Sequence, residues 1–159
     1  MISFRGADPI HMKAYVNYNA FMAHLEARHF QNRESRFVYD AMSWAFLHVG
    51  REGRFKDPTS SDVDRPRRDT YVLGAAQWIL WNGQGLLHRA IYCRPPAGGK
   101  VSDTRYFDIE STAMSLDKWR LWKQGFRDAV TEPGASDECK KVALKAADMM
   151  DMLERGMLF

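Results

Sequence analysis

The sequence predicts an all-α fold: a compact bundle of about five helices forming one domain over residues 1–159. Three observations carry that expectation. Apolar residues recur at steps of three and four through five separate segments, the spacing of a single helix face. Helix-start and helix-stop residues punctuate those segments. With 159 residues, 45% of them hydrophobic and 13% aromatic, the chain can bury a core of its own and is too apolar for disorder.

The first helix opens at Asp8-Pro9, with Asp8 as N-cap and Pro9 at the first helical position, where its missing N–H is harmless. Tyr15, Tyr18, Met22, Leu25 and His29 give its apolar stripe. The second helix, about Glu34 to Val49, repeats the pattern in Phe37, Ala41, Trp44 and His48 and stops at Gly50. Residues 50–66 lose all periodicity and are rich in Gly, Pro, Ser and Asp. So long an irregular connection is uncommon in a compact domain and makes this loop a candidate lid.

The third helix runs from about Arg67 to Cys93, and a second irregular loop, 94–114, follows. Ser115 caps the fourth helix, whose seam is Trp119, Trp122, Phe126 and Val130, and Pro133-Gly134 ends it. Ser136 opens the fifth, with Asp137 and Glu138 favouring the positive end of the helix. Cys139, Val142, Ala146, Met149 and Leu153 form its seam. Gly156 fits a glycine C-cap, with Met157-Leu158-Phe159 folding back.

Composition removes several function classes. The 23 basic and 20 acidic residues leave a net charge of +3, which calls for no nucleic-acid partner, and the basic clusters interleave with helix pattern as solvated faces. Cys93 and Cys139 are too few for a disulfide framework and read as reduced thiols of a cytoplasmic protein. The N-terminus lacks the apolar core of a signal peptide. Tyr71 to Leu87 carries no charge, but Gln77, Asn82 and Gln84 interrupt it, so no membrane span is expected. Ser115 and Lys118 have a Ser-x-x-Lys spacing that a helix cap explains more simply. Glu26 and His29 match half of a di-iron helix motif, but no second Glu-x-x-His exists. His24 and His29 stand about 140° apart around a helix, so they cannot share an ion from one face. Neither metal nor organic cofactor is expected.

The chemistry concentrates in the third helix, in AAQWILWNGQGLLH, Ala75 to His88. Val72, Ala76, Ile79, Leu80, Leu86 and Leu87 cover one side and belong to the core. Gln77, Trp81, Gln84 and His88 share a stripe roughly 60° wide, with Gly74, Trp78 and Gly85 beside it. That stripe has three possible destinations: the solvent edge of the helix, a buried interface, or the wall of a cavity. A solvent edge ordinarily carries Lys, Glu or Arg in preference to tryptophan. In a cavity, indoles supply flat apolar wall and carboxamides supply fixed donors and acceptors.

DTYVLGAAQWILWNGQGLL, SLDKWRLWKQGFRDA and the ending ECKKVALKAADMMDMLERGMLF together resemble a family of small helical proteins of unknown function from filamentous fungi. The likeness is read over the C-terminal half to two-thirds of the chain. It implies a helical fold and a fungal, intracellular setting, in which small proteins without a cofactor motif include catalysts of secondary metabolism.

Two functions from different classes follow. The first is a cofactor-independent enzyme that steers a cyclisation, a pericyclic (Diels–Alder-type) cycloaddition or an isomerisation of an apolar terpenoid or polyketide. Gln77 and Gln84 would donate to a substrate carbonyl, and His88 would act as a third donor or a general acid/base. Trp78, Trp81, Trp119 and Trp122 would wall the cavity, with Tyr15, Tyr18 and Met22 facing it from the first helix. The alternative is a non-catalytic helical interaction module, a possible homodimer, with the stripe in the subunit contact.

Overall fold

The structure, a computed structural model, describes residues 8–28, 36–46, 65–92 and 114–157. Among them it is a compact all-α bundle of five helices: α1 (Pro9–Ala27), α2 (Arg36–Phe46), α3 (Arg65–Tyr92), α4 (Leu116–Thr131) and α5 (Asp137–Met157). The expected lid and most of the 94–114 loop lie outside the described residues, as do His29, His48 and Cys93.

The helix starts follow from local chemistry. Asp8 Oδ1 accepts from the Ile10 N–H at 2.9 Å, with Pro9 behind it. Ser115 Oγ accepts from the Lys118 N–H, and Ser136 Oγ from the Cys139 N–H, each at 3.2 Å. α4 and α5 are joined by a tight turn in which Gly134 takes φ +83°, a left-handed conformation that costs glycine nothing. Long-range contacts anchor this turn to the start of α3. Asp69 accepts from the Ser136 N–H at 2.9 Å, and the Arg68 guanidinium forms a two-pronged pair with Glu132 at 2.6 and 3.0 Å. The expected C-cap at Gly156 is corrected: α5 continues through it to Met157, and its φ is not left-handed.

α3 is the central rod and packs against all four other helices. Its contacts with α1 rise together along both chains, Tyr15 and Asn19 lying at Gly74 and Glu26 at Asn82 and Arg89, so the two helices run in the same direction. α4 and α5 are antiparallel, tied by a ladder of ion pairs from Arg120 and Lys123 to Glu154 and from Lys123 and Arg127 to Asp151. Trp78, Ile79 and Leu87 from α3, Trp119, Trp122 and Phe126 from α4, and Ala143, Ala146 and Met150 from α5 are wholly buried, the interior that burial of apolar surface predicts. α2 lies on this core through Val38, Ala41, Met42 and Ala45, with Phe46 edge-on to Phe126 at 4.9 Å.

Two stripes are rotated relative to expectation. On α2 Ala41 is buried as expected, but Val38, Met42 and Ala45 are buried with it while Phe37 and Trp44 are on the exposed side. On α1 the inward residues are Asn19, Met22, Ala23 and Glu26, whereas Tyr18 is 40% exposed. For α1 the reason is on α3: its facing positions carry hydrogen-bonding groups that need partners, and a buried polar group left unpaired is costly.

Candidate functional site

The α1–α3 seam is narrow because Gly74 has no side chain; a Cβ there would stand 2.5 Å from the Tyr15 ring and 3.2 Å from the Asn19 amide nitrogen. Within that seam the Trp78 indole donates to Asn19 Oδ1 at 2.8 Å, and Asn19 Nδ2 donates to the Tyr15 carbonyl at 2.9 Å. Burial, chiefly, pushes the Tyr15 hydroxyl far above its ordinary pKa and keeps it neutral. Two helical turns further along α1, the carboxylate of Glu26, 5% exposed, accepts from Asn82 at 3.3 Å and pairs with the Arg89 guanidinium on the same oxygen. Its other oxygen is buried without a hydrogen-bond partner among the described residues.

Asn82 is also where α3 bends. Its backbone (φ −135°, ψ 16°) leaves the helical region and divides the helix into two segments. A carboxamide that can bond elsewhere competes with helical geometry, and the neighbouring Gly83 and Gly85 hold a helix weakly. The missing Cβ at Gly85 leaves room for Asn82 Oδ1, which would stand 2.5 Å from it.

The predicted stripe lies beside this seam, on its solvent side. Trp81 is 50% exposed, and Gln84 and His88 are exposed. Gln77 is half-buried only because its carboxamide folds along the helix: Nε2 donates to the Leu73 carbonyl at 3.4 Å and Oε1 accepts the Trp81 indole N–H at 3.1 Å. The His24 ring of α1 covers one face of Trp81 with ring centres 4.0 Å apart, and His88 lies 4.6 Å from Tyr92. The expectation that Gln77, Gln84 and His88 look into an enclosed chamber walled by tryptophan is therefore corrected. These groups reach water, while Trp78, Trp119 and Trp122 are 0–1% exposed within the packed interior.

The remaining predicted wall residues are divided the same way. Met22 is buried, Tyr15 fills the seam against Tyr71, and Tyr18 meets Phe37 edge-on at the surface. Trp119 and Trp122 keep their indole N–H groups buried with no hydrogen-bond partner among the described residues. Among the described residues no three His, Cys, Asp or Glu side chains converge as metal ligands, and Glu26 is instead the partner of Arg89. No described helix is long and apolar enough to cross a membrane.

What the stripe belongs to is a surface. The outward side of α1 carries Ile10 at 77% exposure and Phe21 at 60%, and it continues through His24 onto Trp81 and along α3 to Tyr92. From Trp81 to Tyr92 the exposed residues of α3 are Trp81, Gln84, Gly85, His88 and Tyr92, none of which bears a formal charge at neutral pH. The exposed side of α4 and α5 is charged, with Asp117, Arg120, Arg127, Asp128, Lys141, Lys145 and Asp148 set among exposed Leu121, Leu144 and Met152.

A family model described as Protein of unknown function (DUF3632) matches residues 4–126. The chain belongs to the DUF3632 family. No curated protein and no solved structure matches it. The DUF3632 region takes in α1, α2, α3 and most of α4, so the polar seam and the exposed aromatic surface lie within it. The tail from Glu138 that contributes to the sequence resemblance lies beyond it.

The polar seam residues Asn19, Glu26, Asn82 and Arg89 were not anticipated. A signal for them exists: Tyr15, Asn19, Met22 and Glu26 are spaced four, three and four, as regular a stripe as the one beginning Tyr15-Tyr18. Ranking stripes by hydrophobicity alone passes over it.

Proposed function

We propose that this DUF3632 protein is a helical interaction module that docks another folded protein on the outer surface of α1 and the distal half of α3. One observation carries the reading: half-exposed Trp81, with the His24 ring tilted over it, belongs to a run of exposed α3 residues, Trp81 to Tyr92, that carries no Lys, Arg, Asp or Glu. Tryptophan and tyrosine set among adaptable carboxamides are the composition of an interface core, and depletion of charge is its clearest mark. Exposed apolar patches beyond a few hundred Å² on a soluble domain mark interaction sites. A cyclisation or isomerisation catalyst would need its donors gathered around an enclosed substrate, and Gln77, Gln84 and His88 open onto solvent, so the interaction reading has the better support.

The test is site-specific photo-crosslinking of the full chain in cells. A benzophenone side chain in place of Gln84 should give discrete protein adducts, and one in place of exposed Leu144 on the charged α5 should not. Equal or absent adducts at both positions would overturn the reading.

A further inference from the structure

We infer that the protein docked on the α1–α3 face is a second copy of this chain, paired about a two-fold axis through the Trp81 stripe; the inference rests on the interaction reading above. In a two-fold contact each surface meets itself, so residues near the axis face their own counterparts. Lys, Arg, Asp and Glu repel their counterparts there. Carboxamides do not, because each amide donates to and accepts from its twin. Neutral imidazole also offers one donor and one acceptor, and indoles and phenols stack on their own kind. The exposed residues of α3 from Trp81 to Tyr92 belong entirely to this self-compatible set. A surface built for a charged partner of a different sequence would carry complementary charge.

Charge is placed consistently with this. The chain carries a net charge of +3, so two copies repel at long range unless their charged residues stand away from the contact. The exposed charges of α4 and α5 do so, and among the exposed residues of α1 and its C-cap only Lys13, in the second turn, and Arg28, at the cap, are Lys, Arg, Asp or Glu. Their place is the polar rim that interfaces ordinarily have.

The area is sufficient. At 60%, 50% and 64% exposure, Phe21, Trp81 and Tyr92 leave roughly 350 Å² of aromatic surface open. A stable contact of standard size buries about 800 Å² per partner, of which about 60% is apolar. The three aromatics supply most of that apolar share. α1 alone, at about 1.5 Å per residue, presents a ridge about 28 Å long.

Sedimentation equilibrium of the purified full-length chain tests the pairing. The wild type should have twice the mass of one chain and dissociate on dilution. Gln84→Lys and Gln84→Glu should each be monomeric with unchanged helical circular dichroism, since Gln84 is exposed and its substitution removes no core contact. Mixing the two variants should restore the dimer, because opposite charges then meet across the axis. A wild type that stays monomeric at every concentration overturns the inference; if position 84 still crosslinks discretely to another protein in cells, the interaction reading survives. A dimer that persists in both single variants overturns it as well, placing the contact on another face.

Discussion

Replacing Arg89 by Met removes the guanidinium but keeps most of the stem, and it strands Glu26. The Glu26 carboxylate is 5% exposed, has Asn82 at 3.3 Å as its other donor, and has one oxygen with no partner among the described residues. Removing one member of a buried ion pair costs about 3–5 kcal/mol. Because the Arg89 side chain is 25% exposed, water can reach part of the gap, and the lower end, about 3 kcal/mol, applies. In a domain of this length that corresponds to a fall in Tm of about 6–12 °C. Glu26→Gln should cost less, about 1–2 kcal/mol, since the amide stays neutral and bonded while Arg89 turns to solvent.

The decisive measurement is a double-mutant cycle by urea unfolding, followed by far-ultraviolet circular dichroism. The corners of the cycle are Glu26→Leu, Arg89→Leu and their combination: in the double variant no charge is buried, and it should be far more stable than the sum of those two single losses predicts. If Arg89→Met costs less than about 0.5 kcal/mol, the level of an ordinary surface change, Glu26 is not held as described and the reasoning fails.

Three further outcomes are expected. Gly74→Ala forces a methyl group against the Tyr15 ring and should cost about 1–3 kcal/mol, whereas Gly156→Ala, with nothing within 4 Å, should stabilise by about 0.5–1 kcal/mol; urea midpoints compare the two. Burial works to raise the Asp151 and Glu154 carboxyls, but Lys123 with Arg127, and Lys123 with Arg120, outweigh it and hold both below the usual carboxylate range. Their stabilisation is present above about pH 4 and is lost as pH falls through the depressed folded values, so Lys123→Met should flatten the acid limb of a stability–pH curve. Burial, and then the Asp69 carboxylate, push the Cys139 thiol up to about 12. In a Cys93→Ser background, iodoacetamide at pH 8 should therefore label Cys139 only at the rate of unfolding, and rapid native labelling would refute its burial.

The helices were legible where one residue has one local role. Asp8, Ser115 and Ser136 cap because their oxygens meet orphan N–H groups within three residues, and no tertiary information enters. The Trp119–Trp122–Phe126 seam was legible because α4 has a sharply divided apolar face. The orientation of the α3 stripe was not. Gln77, Trp81, Gln84 and His88 are residue types that suit a cavity wall and a docking face equally, and sequence separates the two only through knowledge of what α1 covers. Gly156 shows the complementary limit: a glycine near a helix end is permitted to cap, and here nothing ends the helix before Met157.

α1 explains why that knowledge was out of reach, and what the buried polar groups contribute. Its apolar residues are spread all around the helix, from Ile10, Tyr15 and Val16 to Phe21, Met22 and Leu25. Burial of apolar surface is non-directional, so it draws α1 onto α3 without strongly choosing which side turns inward. Hydrogen bonds are directional. Turning α1 by one residue step would carry Asn19 away from the Trp78 indole and Glu26 away from Asn82 and Arg89, leaving buried donors and a half-buried guanidinium without acceptors. The two polar contacts thus select one rotation among several of similar hydrophobic merit. In selecting it they also fix what faces out: with Asn19 and Glu26 inward, His24 flanks the seam against Trp81 and Phe21 stands on the far side of the helix. The exposed aromatic surface follows from the buried polar seam, and disrupting the seam should disorganise that surface even though its own residues are unchanged.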